Sequence, residues 1–201
     1  MSNDWQVSAA AWELAALSFR YPGAELADAV SSGEWADAAR EIAAALGLAL
    51  PEGFGAHASA DGLRPEATRL FVGAPEPAVS PYEGVWRAAD DGVQALLFVN
   101  PHSMAVERFM RECGLGRPEG ANEPLDHAAT ECELLERLAL RAAAPADADD
   151  ALPGGSPEAA YDLFLAEHVR AWMPRFAERT AEESRHPFYR DAAAFLAALV
   201  G

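Results

Sequence analysis

Apolar side chains recur every three or four residues along almost the whole of this chain, and hardly anywhere do they alternate. Trp5, Ala9, Trp12, Ala16 and Phe19 make one such stripe, and Trp35, Ala38, Ala39, Ile42 and Leu46 make a second. Val106, Phe109, Met110 and Cys113 follow, then Tyr161, Leu165, His168, Trp172 and Phe176, then Phe188, Ala192, Phe195, Leu196 and Leu199. That period suits helices with one face turned to a core and does not suit half-buried strands. The one run that tempts a strand is Val93-Gln94-Ala95-Leu96-Leu97-Phe98-Val99, whose length fits a buried helix or connector equally well. With 201 residues there is chain enough for one domain with an ample core. The expectation is an all-α, single-domain multi-helix bundle.

Gly and Pro divide the stripes. Tyr21-Pro22-Gly23 ends the first helix and Gly47 closes the one carrying Trp35 to Leu46, while residues 51–64 read as an irregular connection with a solvated His57. Pro65 opens a helix carrying Leu70 and Phe71, after which Pro75, Pro77 and Pro81 forbid regular helix and favour an extended path. That path delivers Tyr82, Glu83 and Trp86, aromatics that read as core or as the lining of a groove. Residues 114–122 have the composition of a hinge and residues 144–157 that of a mobile loop. Pro174 should kink or end the helix it sits in, and His168 on that helix reads as a satisfied core histidine.

Chemistry concentrates at Asn122-Glu123-Pro124-Leu125-Asp126-His127, which runs straight into Ala128-Ala129-Thr130-Glu131. Pro124 fits a first helical turn, and Glu123 and Asp126 would complement the positive end of the helix dipole, so a helix is expected to begin there. Counting in fours then puts Glu123, His127 and Glu131 on one line beside Leu134, Leu135 and Leu138. Acids flanking an imidazole are a functional candidate, although capping acids and a hydrogen-bonded histidine account for the same residues.

Charge narrows the functions. The chain has no lysine, and fifteen arginines against thirty-two acids leave a net charge of −17. Without lysine there is no Walker-type phosphate loop, Schiff base or Ser–Lys pair, and no nucleotide or other cofactor is assigned. An acidic surface repels nucleic acid and anionic membrane and steers in a cationic partner, with apolar burial supplying most of the affinity. Cys113 and Cys132 read as buried free thiols. No basic leader precedes an apolar run and no eighteen-residue apolar segment occurs, so the chain reads as cytoplasmic. Glu183-Ser184-Arg185-His186 has the Glu-x-x-His spacing of di-iron bundles, but no second copy exists and Pro187 follows, so no metal is assigned.

Three stretches resemble the TorD/DmsD-like chaperones of molybdenum-containing redox enzymes. Arg69-Leu70-Phe71-Val72-Gly73 with Val79-Ser80-Pro81-Tyr82-Glu83-Gly84-Val85-Trp86 looks like that family's Pro-Tyr-Glu-Ser-aromatic segment, with Gly84 where serine is usual. Glu123-Pro124-Leu125-Asp126-His127 matches its Glu-Pro-x-Asp-His signature, which continues with an acid at Glu131. His168-Val169-Arg170-Ala171-Trp172-Met173-Pro174-Arg175-Phe176, then Pro187-Phe188-Tyr189, resembles its C-terminal run. The resemblance implies an all-helical protein that is not an enzyme. It would bind the twin-arginine signal peptide of a molybdopterin oxidoreductase, delay export, and favour cofactor insertion into the apo enzyme.

On that basis Glu123, Pro124, Asp126, His127, Glu131, Tyr82, Glu83 and Trp86 are the expected peptide site. The apolar part of the peptide would lie near Trp86, Tyr82 and Leu134, and Asp126 and Glu123 would take the arginines. Two alternatives stand beside it. One is a helical metal-dependent hydrolase using Glu123, Asp126, His127 and Glu131, with His168 as a second imidazole; the other is a scaffold with no peptide site. A monomer is expected, and the glycine-rich connection at 114–122 would permit a swapped dimer.

Overall fold

The computed structural model describes residues 4–92, 100–116, 124–144 and 151–201. Among these every regular element is a helix: α1 Trp5–Phe19, α2 Ala24–Ser32, α3 Glu34–Leu46, α4 Leu63–Ala67, α5 Glu83–Asp90, α6 Pro101–Glu112, α7 Ala128–Ala143, α8 Pro157–Phe164, α9 Arg170–Glu183 and α10 Pro187–Val200. The all-α expectation is met. The strand-like run at 93–99 and residues 117–122 of the hinge-like connection lie outside the described residues.

Helix ends follow local chemistry. Asp4 accepts the Val7 N–H to cap α1, Asn100 accepts that of His102 ahead of Pro101 at α6, and Ser156 accepts that of Ala159 ahead of Pro157 at α8. Gly33, at φ 86°, ends α2 in the left-handed conformation and starts α3 with no spacer, a turn that a side chain would strain. Of the expected mobile loop at 144–157, the described part is ordered by packing: Leu152 is buried and Pro153–Gly155 form one tight turn. Residues 145–150 are outside the description.

The predicted stripes form the core. α1 lies along α7, and α9 along α10, with Trp12, Trp35, Trp172, Phe164, Phe176, Phe188 and Phe195 fully buried between them. Each of the three tryptophans has a partner for its indole N–H. Trp12 donates to Tyr161 Oη at 2.7 Å, Trp35 to Ser18 Oγ at 2.9 Å, and Trp172 to Glu131 Oε2 at 3.0 Å.

Two helices carry a widened π turn, Thr68–Val72 after α4 and Leu165–Val169 between α8 and α9. The second lies just ahead of Pro174, whose missing N–H and ring displace the backbone of the preceding turn; α9 continues through the proline. After the first, residues 73–82 form a non-helical strap, as the three prolines require, tied back by Val79 N–H on Leu70 O at 2.8 Å. Arg69 forks onto Glu66 with two bonds of 3.0 Å and also reaches the Glu183 carbonyl, fixing the π turn to the corner before α10. That corner holds the Glu183–His186 motif. The helix ends at Glu183, and His186 caps α10 by accepting the Phe188 N–H, so the pair is not on one helical face.

The expected start of a helix at Pro124 is overturned. α7 begins at Ala128, because the backbone at His127 is extended, with φ −80° and ψ 140°, and residues 126–128 are bonded to the strap. Glu83 N–H donates to Asp126 O at 2.9 Å, Ala128 N–H donates to Pro81 O at 2.8 Å, and Tyr82 faces His127 as a single antiparallel bridge. His127 is the cap residue and not part of a helical line running into Glu131, which lies in the first turn of α7.

Candidate functional site

The bridge brings two sequence motifs together: the strap end with Tyr82 and Glu83, and the Asp126-His127 turn. Each has its backbone bonds satisfied by the other. The Tyr82 and His127 rings meet edge to face, 5.2 Å between centres, half-buried at the surface. His127 Nδ1 accepts the Ala129 N–H at 3.1 Å, which requires a neutral ring protonated at Nε2, and burial accordingly pushes its pKa down to about 4. One turn along α5, Trp86 is half-buried with its indole N–H on Ser80 O at 2.9 Å, so the strap orients its ring.

Beneath this edge sit three carboxyl groups. Glu83 and Glu131 are 0% exposed and Asp126 is 1% exposed. Glu83 lies at the centre, with Oε1 taking Arg87 Nη1 at 3.0 Å and Oε2 meeting His168 Nδ1 at 2.9 Å. Arg87 also donates to the Glu167 carbonyl at 3.2 Å, so one guanidinium bridges α5 to the π turn that presents His168. His168 is a core residue as expected, stacked on Phe164 with centres 4.8 Å apart.

Glu131 takes the Trp172 indole N–H on Oε2, while Oε1 has no hydrogen-bond partner among the described groups. Burial first, then the neighbouring Glu83 charge, drives its pKa well above the usual carboxyl value. A protonated Glu131 resolves the orphan, because an O–H can donate to Glu83 where a second carboxylate could only repel it.

Asp126 is held differently. Its Oδ2 accepts the Gly84 N–H at 2.8 Å and the Ser103 hydroxyl at 2.6 Å; these bonds oppose a rise in pKa that burial causes. Asn100 donates to Gly84 O at 2.7 Å, so α6 grips α5 at a residue without a side chain. A Cβ on Gly84 would come within 2.7 Å of Ser103 Oγ and 2.9 Å of Asp126 Oδ2.

Asp126, His127, Glu131, Tyr82, Glu83 and Trp86 are thus brought into one region, and Pro124 is buried beside it; Glu123 lies outside the described residues. The expectation that Asp126 reaches outward to a guanidinium does not fit its 1% exposure. Sequence reasoning passed over Asn100 and Ser103. The first had a signal in Asn100-Pro101, a helix start; the second had none. The hydrolase reading finds no support: Asp126 and Glu131 are sealed, and among the described residues no group of three or more His, Cys, Asp or Glu is placed to hold a metal. No described helix is long and apolar enough to cross a membrane.

The family model described as nitrate reductase delta subunit matches residues 31–178. A crystal structure of a candidate redox enzyme maturation protein from Archaeoglobus fulgidus superposes with a TM-score of 0.58 over 93% of this chain and 90% of that one, at 20% identity, a likeness of fold. No curated protein matches the sequence. The matched span covers the strap, the acid cluster and most of α9, and by it the chain belongs to the nitrate reductase delta subunit family, TorD-like chaperones of redox enzyme maturation.

Proposed function

We propose that this protein is a cytoplasmic chaperone that binds the twin-arginine signal peptide of a molybdopterin-containing oxidoreductase, delays its export, and favours cofactor insertion into the apo enzyme first. The observation that carries the proposal is the edge formed by Tyr82, His127 and Trp86, aromatic and half-buried, on a protein of net charge −17. A signal peptide with a basic part followed by an apolar part needs both features. Charge steers and orients the basic part, and the aromatic edge supplies apolar contact.

The buried acids act from beneath in this reading. Glu83, Asp126 and Glu131 fix the strap against the start of α7, so that the edge is formed before the peptide arrives and little ordering cost is added on binding. Glu123 is retained as an arginine contact by its place in the signature.

Calorimetric titration with the twin-arginine peptide of a neighbouring molybdoenzyme, and with a copy in which both arginines are alanine, tests this. Saturable binding that weakens by about tenfold or more in the altered copy, the loss of one or two charge-assisted contacts, is expected. Equal affinity for both peptides, or none for either, would overturn it.

A further inference from the structure

We propose that α5 carries an arginine-recognition site, built from the Trp86 indole and the Asp90 carboxylate, which the chain's own Arg175 occupies until an arginine of a client peptide displaces it. The inference rests on the peptide-binding reading above and assigns the residues that meet the guanidinium.

Trp86 and Asp90 are four residues apart on α5, so ring and carboxylate face the same side. Arg175, from α9, sits between them. Its Nη1 donates to Asp90 Oδ1 and its Nη2 to Oδ2, each at 2.7 Å, and its guanidinium carbon stands 5.8 Å from the centre of the Trp86 ring. A fork closed on a carboxylate and a planar cation over an indole are the two contacts that distinguish arginine from lysine. The platform is rigid, because Ser80 O holds the indole N–H.

Two features make the occupant replaceable. The Arg175 and Asp90 side chains are 42% and 46% exposed, where water and salt compete with the pair. Arg175 also has somewhere to go. With Glu178, one turn further on α9, it borders an open hollow of about 300 Å³ between α9 and α10, walled by Ala177, Ala193 and Ala197. Turned towards Glu178, Arg175 keeps a carboxylate partner while Trp86 and Asp90 come free. With Arg175 in place, Arg175 foremost, then Arg87 on α5 and His102 on α6, hold the Asp90 carboxyl below the usual range.

The test uses the intact protein labelled with ¹⁵N at tryptophan, the Trp86 indole signal being assigned through Trp86→Phe. It is titrated with acetyl-Arg-Arg-amide and acetyl-Lys-Lys-amide. Arg175→Gln is expected to bind the arginine compound about fivefold tighter or more, since a site that must expel its own occupant loses affinity in proportion to its occupancy. The lysine compound should show no such gain, and Asp90→Asn added to Arg175→Gln should remove it.

Equal affinity for the unaltered chain and Arg175→Gln, or an equal gain with lysine, overturns the site. The full signal peptide separates the two levels. If it binds both proteins equally, the site falls and the chaperone reading stands. If it binds neither while the dipeptides behave as expected, the peptide-holding reading falls and the site stands.

Discussion

His168 Nδ1 meets Glu83 Oε2 at 2.9 Å across 85 positions of sequence, and through this contact the π turn before α9 is bonded to the first residue of α5. The pair defines an asymmetry among the buried acids. Glu83 is bonded on both oxygens, to Arg87 and to His168, whereas burial and then the neighbouring Glu83 push the Glu131 pKa well up, towards the protonated form. Glu83→Gln should therefore cost about 2–4 kcal/mol, by stranding Arg87 and His168, while Glu131→Gln, which can still accept from Trp172 and donate to Glu83, should cost under about 1 kcal/mol. Urea unfolding of both variants checks this. Equal costs would show that Glu131 is ionised in the folded protein.

Stability should depend on pH through His127. Its folded pKa, about 4, lies below the unfolded value of 6.5, so between these the unfolded chain binds the extra proton and stability falls as pH is lowered. The contribution is fully present above about pH 6.5 and lost progressively towards pH 4, by up to about 3 kcal/mol. Glu131 acts with the opposite sign: its raised pKa favours the folded state as pH falls towards the unfolded carboxyl value. His127→Asn keeps a capping side chain but removes the titration, so its urea midpoint should vary less between pH 6.5 and 4 than that of the unaltered chain. Parallel profiles would mean that the His127 ring takes up its proton at the same pH in the folded and unfolded chain.

Gly84 is required by close approach. Placing Ala there brings Cβ to 2.7 Å from Ser103 Oγ and 2.9 Å from Asp126 Oδ2, and should destabilise by about 1–3 kcal/mol. The nearest atom belongs to a short side chain, so Ser103→Ala should recover part of the loss. A double-mutant cycle is expected to give a coupling of about 0.5–2 kcal/mol. Strict additivity would place the strain elsewhere, at Asp126 or Asn100.

What the sequence disclosed follows from range. The helical stripes and the stops at Tyr21-Pro22-Gly23 and Gly47 are local, and they were legible because periodicity and helix-ending residues act within one or two turns. The grouping of Tyr82, Glu83 and Asp126-His127 was legible only as a resemblance of motifs. Its geometry was not, because an antiparallel bridge between the strap and residues 126–128 overrode the helix-start signal of Pro124. Nor does any local pattern distinguish a buried carboxyl from an exposed one. Asp126 in a turn before a helix reads as a solvated cap, and only the arrival of Gly84, Asn100 and Ser103 from two other helices seals it.

The separation of exposed charge from buried charge should appear in the kinetics of peptide binding. With net charge −17, the protein attracts a basic peptide from beyond contact distance, and added salt screens that attraction once the Debye length falls to about 10 Å or less. Glu83, Asp126 and Glu131 are out of reach of that screening, since none is more than 1% exposed, and their hold on the strap does not change with salt. Raising sodium chloride from 50 to 500 mM should then slow association of the twin-arginine peptide by about tenfold while dissociation changes less than about threefold. Stopped-flow fluorescence of a labelled peptide measures both. A dissociation rate that rises as steeply as association falls would show that exposed ion pairs, and not the aromatic edge at Tyr82, Trp86 and His127, hold the bound peptide.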